Sequence, residues 1–416
     1  AGCDLRRVEP ARRAGRNDCA VSRGGLRLAR GDQQFFAGEA LSSVQKKTTA
    51  NRSRHGLPDA LRALAMVSVL VVNGIGYAVA PWGPALGLRT PADSTWASVT
   101  QGFVAALLQG KGLAMLAFVF GMALWLSASG RVRTEALQRG VVRNRRLLRL
   151  GMLHGVFVYF GDILTLYALV GRRLLGRLHL PWRRLRQHLR RALVWALLAK
   201  LVLVSIILAF PERPIDPGDS TLSTVRGGWE FFKLNASSYV IAQVVVIILA
   251  GPVMYLCMAC GVATARLRLL THRRWRPDLK RGLLRSAPPL LALTFAYGWG
   301  MAVTEPTNAL RPWIDALGDL VAIPVAFIYI AALALVTNGG SARWCGWLVP
   351  LGQRTLTLYV AHGLICLVVL SGAGFALSLT TTQIVAFCLG LWLLALAAAA
   401  LSRNRRWPLE AWISRR

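Results

Sequence analysis

Residues 59–80 read DALRALAMVSVLVVNGIGYAVA. Two charged residues, Asp59 and Arg62, open the stretch, and none follows within it. A helix of ~20 apolar residues is what a hydrocarbon core of ~30 Å requires. Similar runs follow at about 103–127, as a pair around 147–175 interrupted at Gly161-Asp162, and at about 192–210, 239–264, 287–303, 318–337, 351–371 and 381–401. They predict an all-α fold, a polytopic integral membrane helical bundle of about ten transmembrane helices. The third and fourth runs are short, and a tilt or local thinning would accommodate them.

The chain has 416 residues, 55% of them hydrophobic, above the usual share for a soluble domain. Its 50 Lys and Arg face only 18 Asp and Glu, a formal charge of +32. In a soluble protein such a balance points to nucleic acid, but no recognition motif accompanies it here. The basic residues instead lie between apolar runs, at 131–149, 172–191, 266–285 and 403–416. The alternate connectors are poor in Lys and Arg: 81–101 holds Arg89, 304–317 holds Arg311, and 372–380 holds neither. The long connector 211–238 mixes both signs. The positive-inside rule therefore places both termini in the cytoplasm. The expected location is a bacterial inner (plasma) membrane, with the lipid bilayer as the main partner.

Residues 1–54 are rich in Arg and Gly and hold no apolar stretch long enough for a signal peptide. They are expected to form a disordered cytoplasmic tail, or to reflect an overextended gene start, ahead of a membrane domain over 55–416. Of the seven cysteines, Cys257 and Cys260 make the one C-x-x-C, inside an apolar run. They read as small core or lipid-facing residues, so neither a structural disulfide nor a metal site is predicted.

Polar groups in a bilayer are costly and generally face the bundle interior. Asp59 and Arg62, at i and i+3, can pair at the helix mouth or clamp an anion. Asn73 lies three turns on, either a helix–helix hydrogen bond or part of a site. His154 lies in the third run. Gly161 is expected to turn the chain near the outer face, and Asp162 to cap the next helix or to orient a histidine. Both roles of Asp162 can hold together. Tyr167 follows, as core packing or as a lining group. Gln353, Thr355, Thr357, Tyr359 and His362 make the ninth run polar on part of its surface, as a cavity wall would be. Lys111, deep in the second run, reads as inward-facing. No Walker loop, H-E-x-x-H or G-x-S-x-G is present, which disfavours the familiar ATPases, zincins and serine hydrolases.

Three stretches together resemble the YeiB family, domain of unknown function 418. They are Asp59-Ala-Leu-Arg62 through Asn73; Gly151-Met-Leu-His154 with Gly161-Asp162-Ile-Leu-Thr-Leu-Tyr167-Ala-Leu-Val-Gly171; and Leu351-Gly352-Gln353-Arg354-Thr-Leu-Thr-Leu-Tyr359 with Trp407-Pro408-Leu409-Glu410-Ala-Trp412. Their order and spacing fit over about 57–414. That family in turn resembles the transmembrane acyltransferases, ten-helix proteins that use cytoplasmic acyl-CoA to acylate acceptors on the far side. In the acyltransferase 3 group an Arg and a His stand eleven residues apart on the first helix. Arg62 matches that Arg, and Asn73 stands where the His would be. A second departure is Arg172-Arg173, which implies a shorter fourth helix.

The resemblance implies a protein that moves an acyl group from acyl-CoA, as co-substrate, to a glycan or lipid-linked acceptor, with no bound cofactor. The expected catalytic residues are His154, Asp162 and His362, with either histidine as the base. Arg62, Asn73, Tyr167, Gln353 and Tyr359 are expected to bind substrate. The other reading is a transporter of a small or lipidic solute, with Asp162 and His154 as a proton relay.

Overall fold

A computed structural model describes residues 56–77, 94–129, 132–210, 220–305, 308–338, 342–402, 405 and 407–414. The expectations for the 1–54 tail lie outside these residues. Among them every regular element is helical. In chain order the helices are α1 (Leu57–Gly76), α2 (Thr95–Leu107), α3 (Lys111–Ala128), α4 (Arg133–Phe157), α5 (Leu164–Leu175), α6 (Trp182–Ala209) and α7 (Gly228–Leu249). There follow α8 (Gly251–Leu267), α9 (Arg276–Val303), α10 (Arg311–Asn338), α11 (Ala342–Gly352), α12 (Thr355–Leu370), α13 (Thr381–Leu401) and α14 (Pro408–Ser414).

Six segments are long and apolar enough to cross a membrane, or seven if α11 and α12 count as one span bent by 69°. They are α1, the α2–α3 segment, α6, α7, α10 and α13. The expected count of about ten is therefore not reached by length and composition among the described residues. Two differences have a plain physical cause. The predicted sixth span is cut at Ala250, because Pro252 opens a new helix where its missing N–H costs nothing. The predicted third and fourth spans form a short hairpin. Helix α5 has 12 residues and rises ~18 Å, well under the ~30 Å of a hydrocarbon core. The first half of α4 carries Arg139, Arg143, Arg145 and Arg146, so only its last turns are apolar. At the turn, Asp162 is buried and Gly161 half-buried.

Helix α1 is the central element, packed against α3, α11, α12 and α13. Leu61, Leu70 and Ile75 on it are almost wholly buried. Where α3 meets α8 the backbones nearly touch: a Cβ on Gly121 would strike the Met258 backbone, and one on Gly261 the Phe118 carbonyl. Small residues at such crossings let dispersion contacts replace the absent hydrophobic drive in lipid. Large apolar side chains face outward on the peripheral helices, among them Leu197 and Leu201 on α6, Val244 and Ile248 on α7, and Leu393 and Leu394 on α13. A bilayer is the solvent that suits such a surface.

The bend between α11 and α12 is held from the C-terminal end of the chain. Arg354, buried at the bend, donates to the carbonyls of Pro350 (2.6 Å), Ser402 (2.5 Å) and Arg405 (2.7 Å). Glu410 caps the other side. Its Oε1 accepts from the N–H groups of Leu356 and Thr357, both at 2.9 Å, and its Oε2 from the Thr357 hydroxyl at 2.5 Å. A carboxylate at the N-terminus of α12 satisfies orphan donors and meets the positive end of the helix dipole. Glu410→Ala is expected to cost about 1–2 kcal/mol, at the upper end of capping losses. Thermal unfolding of the detergent-purified protein checks this; Glu410→Gln, which keeps the acceptor oxygen, should lose less.

Candidate functional site

The turn between α4 and α5 assembles the densest buried polar cluster predicted from the sequence. His154 lies in the last turn of helix α4, and its carbonyl takes the N–H groups of both Val158 (2.8 Å) and Tyr159 (2.9 Å). The chain turns at Gly161, and Asp162 Oδ2 accepts the Thr165 N–H at 2.8 Å, capping α5. The other oxygen, Oδ1, lies 3.2 Å from His154 Nδ1, close but out of line for a good hydrogen bond. So Asp162 both caps the helix and faces a histidine, and both side chains are at most 1% exposed.

Helix α12 supplies the third member. The Tyr359 hydroxyl donates to Asp162 Oδ1 at 3.2 Å, and its ring lies 4.7 Å from the His154 ring. One turn on is Gly363. A Cβ there would sit 2.5 Å from His154 Nε2, so the absent side chain is what leaves the imidazole its place. Nε2 itself is buried without a hydrogen-bond partner.

Helix α7 braces the turn through residues that sequence reasoning passed over. Asn235 donates to the carbonyls of Gly155 (2.9 Å) and Val156 (2.8 Å), which the end of α4 leaves unpaired. The Tyr239 hydroxyl shares a 2.9 Å hydrogen bond with Thr165, and Gln243 donates to the Asp162 carbonyl at 2.9 Å. Asn235, Tyr239 and Gln243 recur at i, i+4 and i+8, a polar stripe that runs into the apolar half of the helix. The apolar run begins only at about Tyr239, so by hydropathy Asn235 falls in the connector before it.

The other sequence candidates lie elsewhere. Arg62 donates to Asp59 Oδ1 at 2.7 Å, and Gln353 to Asp59 Oδ2 at 3.2 Å, forming a separate cluster at the α11–α12 bend. Arg143 lies close enough to Arg62 for the two charges to repel, and stacks 5.4 Å from the Phe120 ring. The Tyr167 hydroxyl is taken up by the Leu113 carbonyl at 2.5 Å. Asn73 is half-buried on α1. Lys111 is buried, donating to the Ala105 carbonyl at 2.7 Å beside the Tyr297 ring. His362 faces Cys366 and Cys388, away from His154. The structure thus unites His154, Asp162 and Tyr359 and leaves Arg62 with Gln353, and His362, in two further clusters.

Chemically, an imidazole with Nδ1 toward a carboxylate and Nε2 free is arranged as a base. With the proton on Nδ1, the carboxylate fixes the tautomer and steadies the imidazolium that forms when Nε2 takes a proton. Gly363→Ala tests the packing behind this geometry. It is expected to destabilise the protein by roughly 1–3 kcal/mol, the range for overpacking. His154→Ala in the same chain should remove most of that penalty, a coupling that a double-mutant cycle on thermal unfolding would read. Additive effects would show that Gly363 does not hold the imidazole in place.

Residues 264–416 match the family model described as protein of unknown function, DUF418. No curated protein matches the chain. The matched region holds Gln353, Arg354, Tyr359, His362, Gly363 and Glu410, whereas His154 and Asp162 precede it. Over residues 264–416 the chain is thus similar to the DUF418 family, and its apolar helices mark it as a multi-pass membrane protein.

Proposed function

We propose that this protein is a membrane-embedded acyltransferase in which His154 is the general base. The observation that carries the reading is the pair of distinct environments on one ring: Nδ1 lies 3.2 Å from Asp162 Oδ1, and Nε2 is buried without a partner. In the reaction, Nε2 takes the proton of an acceptor hydroxyl, and the oxygen attacks the thioester carbonyl of acyl-CoA. The C–S bond breaks, and the CoA thiolate recovers the proton from the imidazolium. Asp162 balances the transient positive charge, and Tyr359 holds Asp162 in position through its 3.2 Å hydrogen bond.

With both termini inside a bacterial plasma membrane, the Arg62 and Arg143 end of the bundle faces the cytoplasm, where their guanidiniums suit the phosphates of CoA. The acceptor, a glycan or lipid-linked hydroxyl, approaches from the opposite side. His154 rather than His362 is assigned as base because a carboxylate accompanies it.

A second reading, transport of a small or lipidic solute, draws on the helix breaks. Helices α11 and α12 meet at 69°, and the α7–α8 junction interrupts another apolar segment. Discontinuous helices at membrane depth are how many carriers build a solute site.

Acetyl-CoA and longer acyl-CoAs are expected to raise the unfolding temperature of the purified protein saturably, because a ligand that binds only the folded form stabilises it by mass action. Free ATP should not, and Arg62→Ala should weaken the effect. His154→Ala should lower acyl transfer by ~10²-fold or more, the usual loss of a general base. Absence of stabilisation by any acyl-CoA, together with solute flux that needs none, would replace the acyltransferase reading with the transport one.

A further inference from the structure

Helix α12 presents a second set of reactive side chains on another face. His362 and Cys366, at i and i+4, point the same way, toward Cys388 on α13. Cys366 Sγ lies 3.4 Å and Cys388 Sγ 3.5 Å from the same ring nitrogen, His362 Nε2. The three donor atoms fall within 4.8 Å of one another, and both thiols are free. His362 is 2% exposed and the two cysteines are fully buried.

These separations match a metal polyhedron. Tetrahedral zinc with Zn–S of ~2.3 Å and Zn–N of ~2.05 Å sets the nitrogen and each sulfur ~3.5–3.6 Å apart. We infer that His362, Cys366 and Cys388 form an intramembrane zinc site of the two-cysteine, one-histidine type. Charge selects the ion. On binding, both thiols lose their protons, and two thiolates with a neutral imidazole carry −2 in an apolar interior. Zn(II) makes the assembly neutral, which a low-dielectric site demands, whereas Cu(I) leaves a net negative charge.

Three protein ligands leave one position open, as in catalytic zinc centres. A cavity of about 290 Å³ lies beyond Gly74, lined by it and by Tyr77, Arg226, Leu370 and Ile384 among others, though by none of the three ligands. Gly74 is the point of contact: a Cβ there would lie 2.5 Å from Cys388 Sγ, so the glycine keeps the sulfur next to the cavity wall. Water would take the fourth position. The cluster escaped sequence reading because only His362-x-x-x-Cys366 is local; Cys388 arrives from the next helix.

The site is independent of the acyl-transfer reading and is tested without activity. The purified full chain is reduced, stripped with chelator, reloaded with Zn(II) or Co(II), and compared with a Cys366→Ala/Cys388→Ala double variant and with His362→Ala. Elution as a monodisperse detergent complex controls for folding. The wild type is expected to hold one more zinc per chain than the double variant. Its Co(II) form should show thiolate charge-transfer absorption and intense tetrahedral d–d bands, both lost in the double variant. His362→Ala should weaken zinc tenfold or more while keeping the charge-transfer band. A Cys257→Ala/Cys260→Ala control should hold zinc like the wild type. Equal zinc in wild type and double variant, cobalt bands that survive it, or retention of Cu(I) in place of Zn(II) would each overturn the assignment.

Discussion

A helix broken inside a membrane leaves backbone carbonyls and N–H groups that no water can satisfy, and each orphan costs several kcal/mol. At several breaks the structure meets this constraint by sending in a side chain. At the end of α2, the carbonyls of Ala105, Ala106, Leu107 and Leu108 are reached by Lys111, Thr294, Tyr329 and Ser68 in turn. Two of those donors come from α9 and α10, so the break draws neighbouring helices together. Ser68 also accepts the Gly112 N–H at 3.2 Å and so serves the start of α3. The buried ammonium of Lys111 therefore has a structural role that its position alone leaves undetermined.

The same rule explains why the α4–α5 turn is rich in polar side chains. Asn235 and Tyr77 take the carbonyls of Gly155, Val156 and Val158, while Asp162 and Tyr359 receive the N–H groups of Thr165 and Ile163. Every one of these contacts holds backbone in place. The imidazole of His154 bonds no backbone group with its side chain. Its Nε2 is left unpaired against Gly363, as Asn235 Oδ1 and Gln243 Oε1 are left unpaired beside the same turn. A buried polar atom held without a partner is costly, and such costs persist where function requires them.

Much of this was legible in the sequence because it is local. The Asp59–Arg62 pair follows from i, i+3 spacing, and the cap formed by Asp162 follows from its place after a glycine and before an apolar run. The approach of His154 to Asp162, eight residues on, follows from the tight turn between them. What escaped is non-local. Hydropathy finds apolar residues but cannot distinguish a buried half-length hairpin from two crossings, so the 147–175 region read as two spans. Glu410 and Arg354 belong to stretches quoted for their resemblance, yet their capping roles depend on the C-terminal segment folding back onto α12. The thiols of Cys366 and Cys388 are separated by a full connector, beyond the reach of any spacing rule.

Helix α12 links these observations. With 3.6 residues per turn, Tyr359 and Gly363 occupy one face and His362 and Cys366 the next, so one rigid element borders both the His154 turn and the thiol cluster. Its N-terminus is fixed by Glu410, its bend by Arg354, and its far end by the 3.2 and 2.8 Å backbone contacts of Gly372 with Gly227 and Leu222. Between these anchors, the Tyr77 hydroxyl binds the Gly363 carbonyl at 3.1 Å and the Val158 carbonyl at 2.9 Å, tying α12 directly to the turn that holds His154. A helix pinned at both ends and at its middle cannot slide without breaking buried hydrogen bonds.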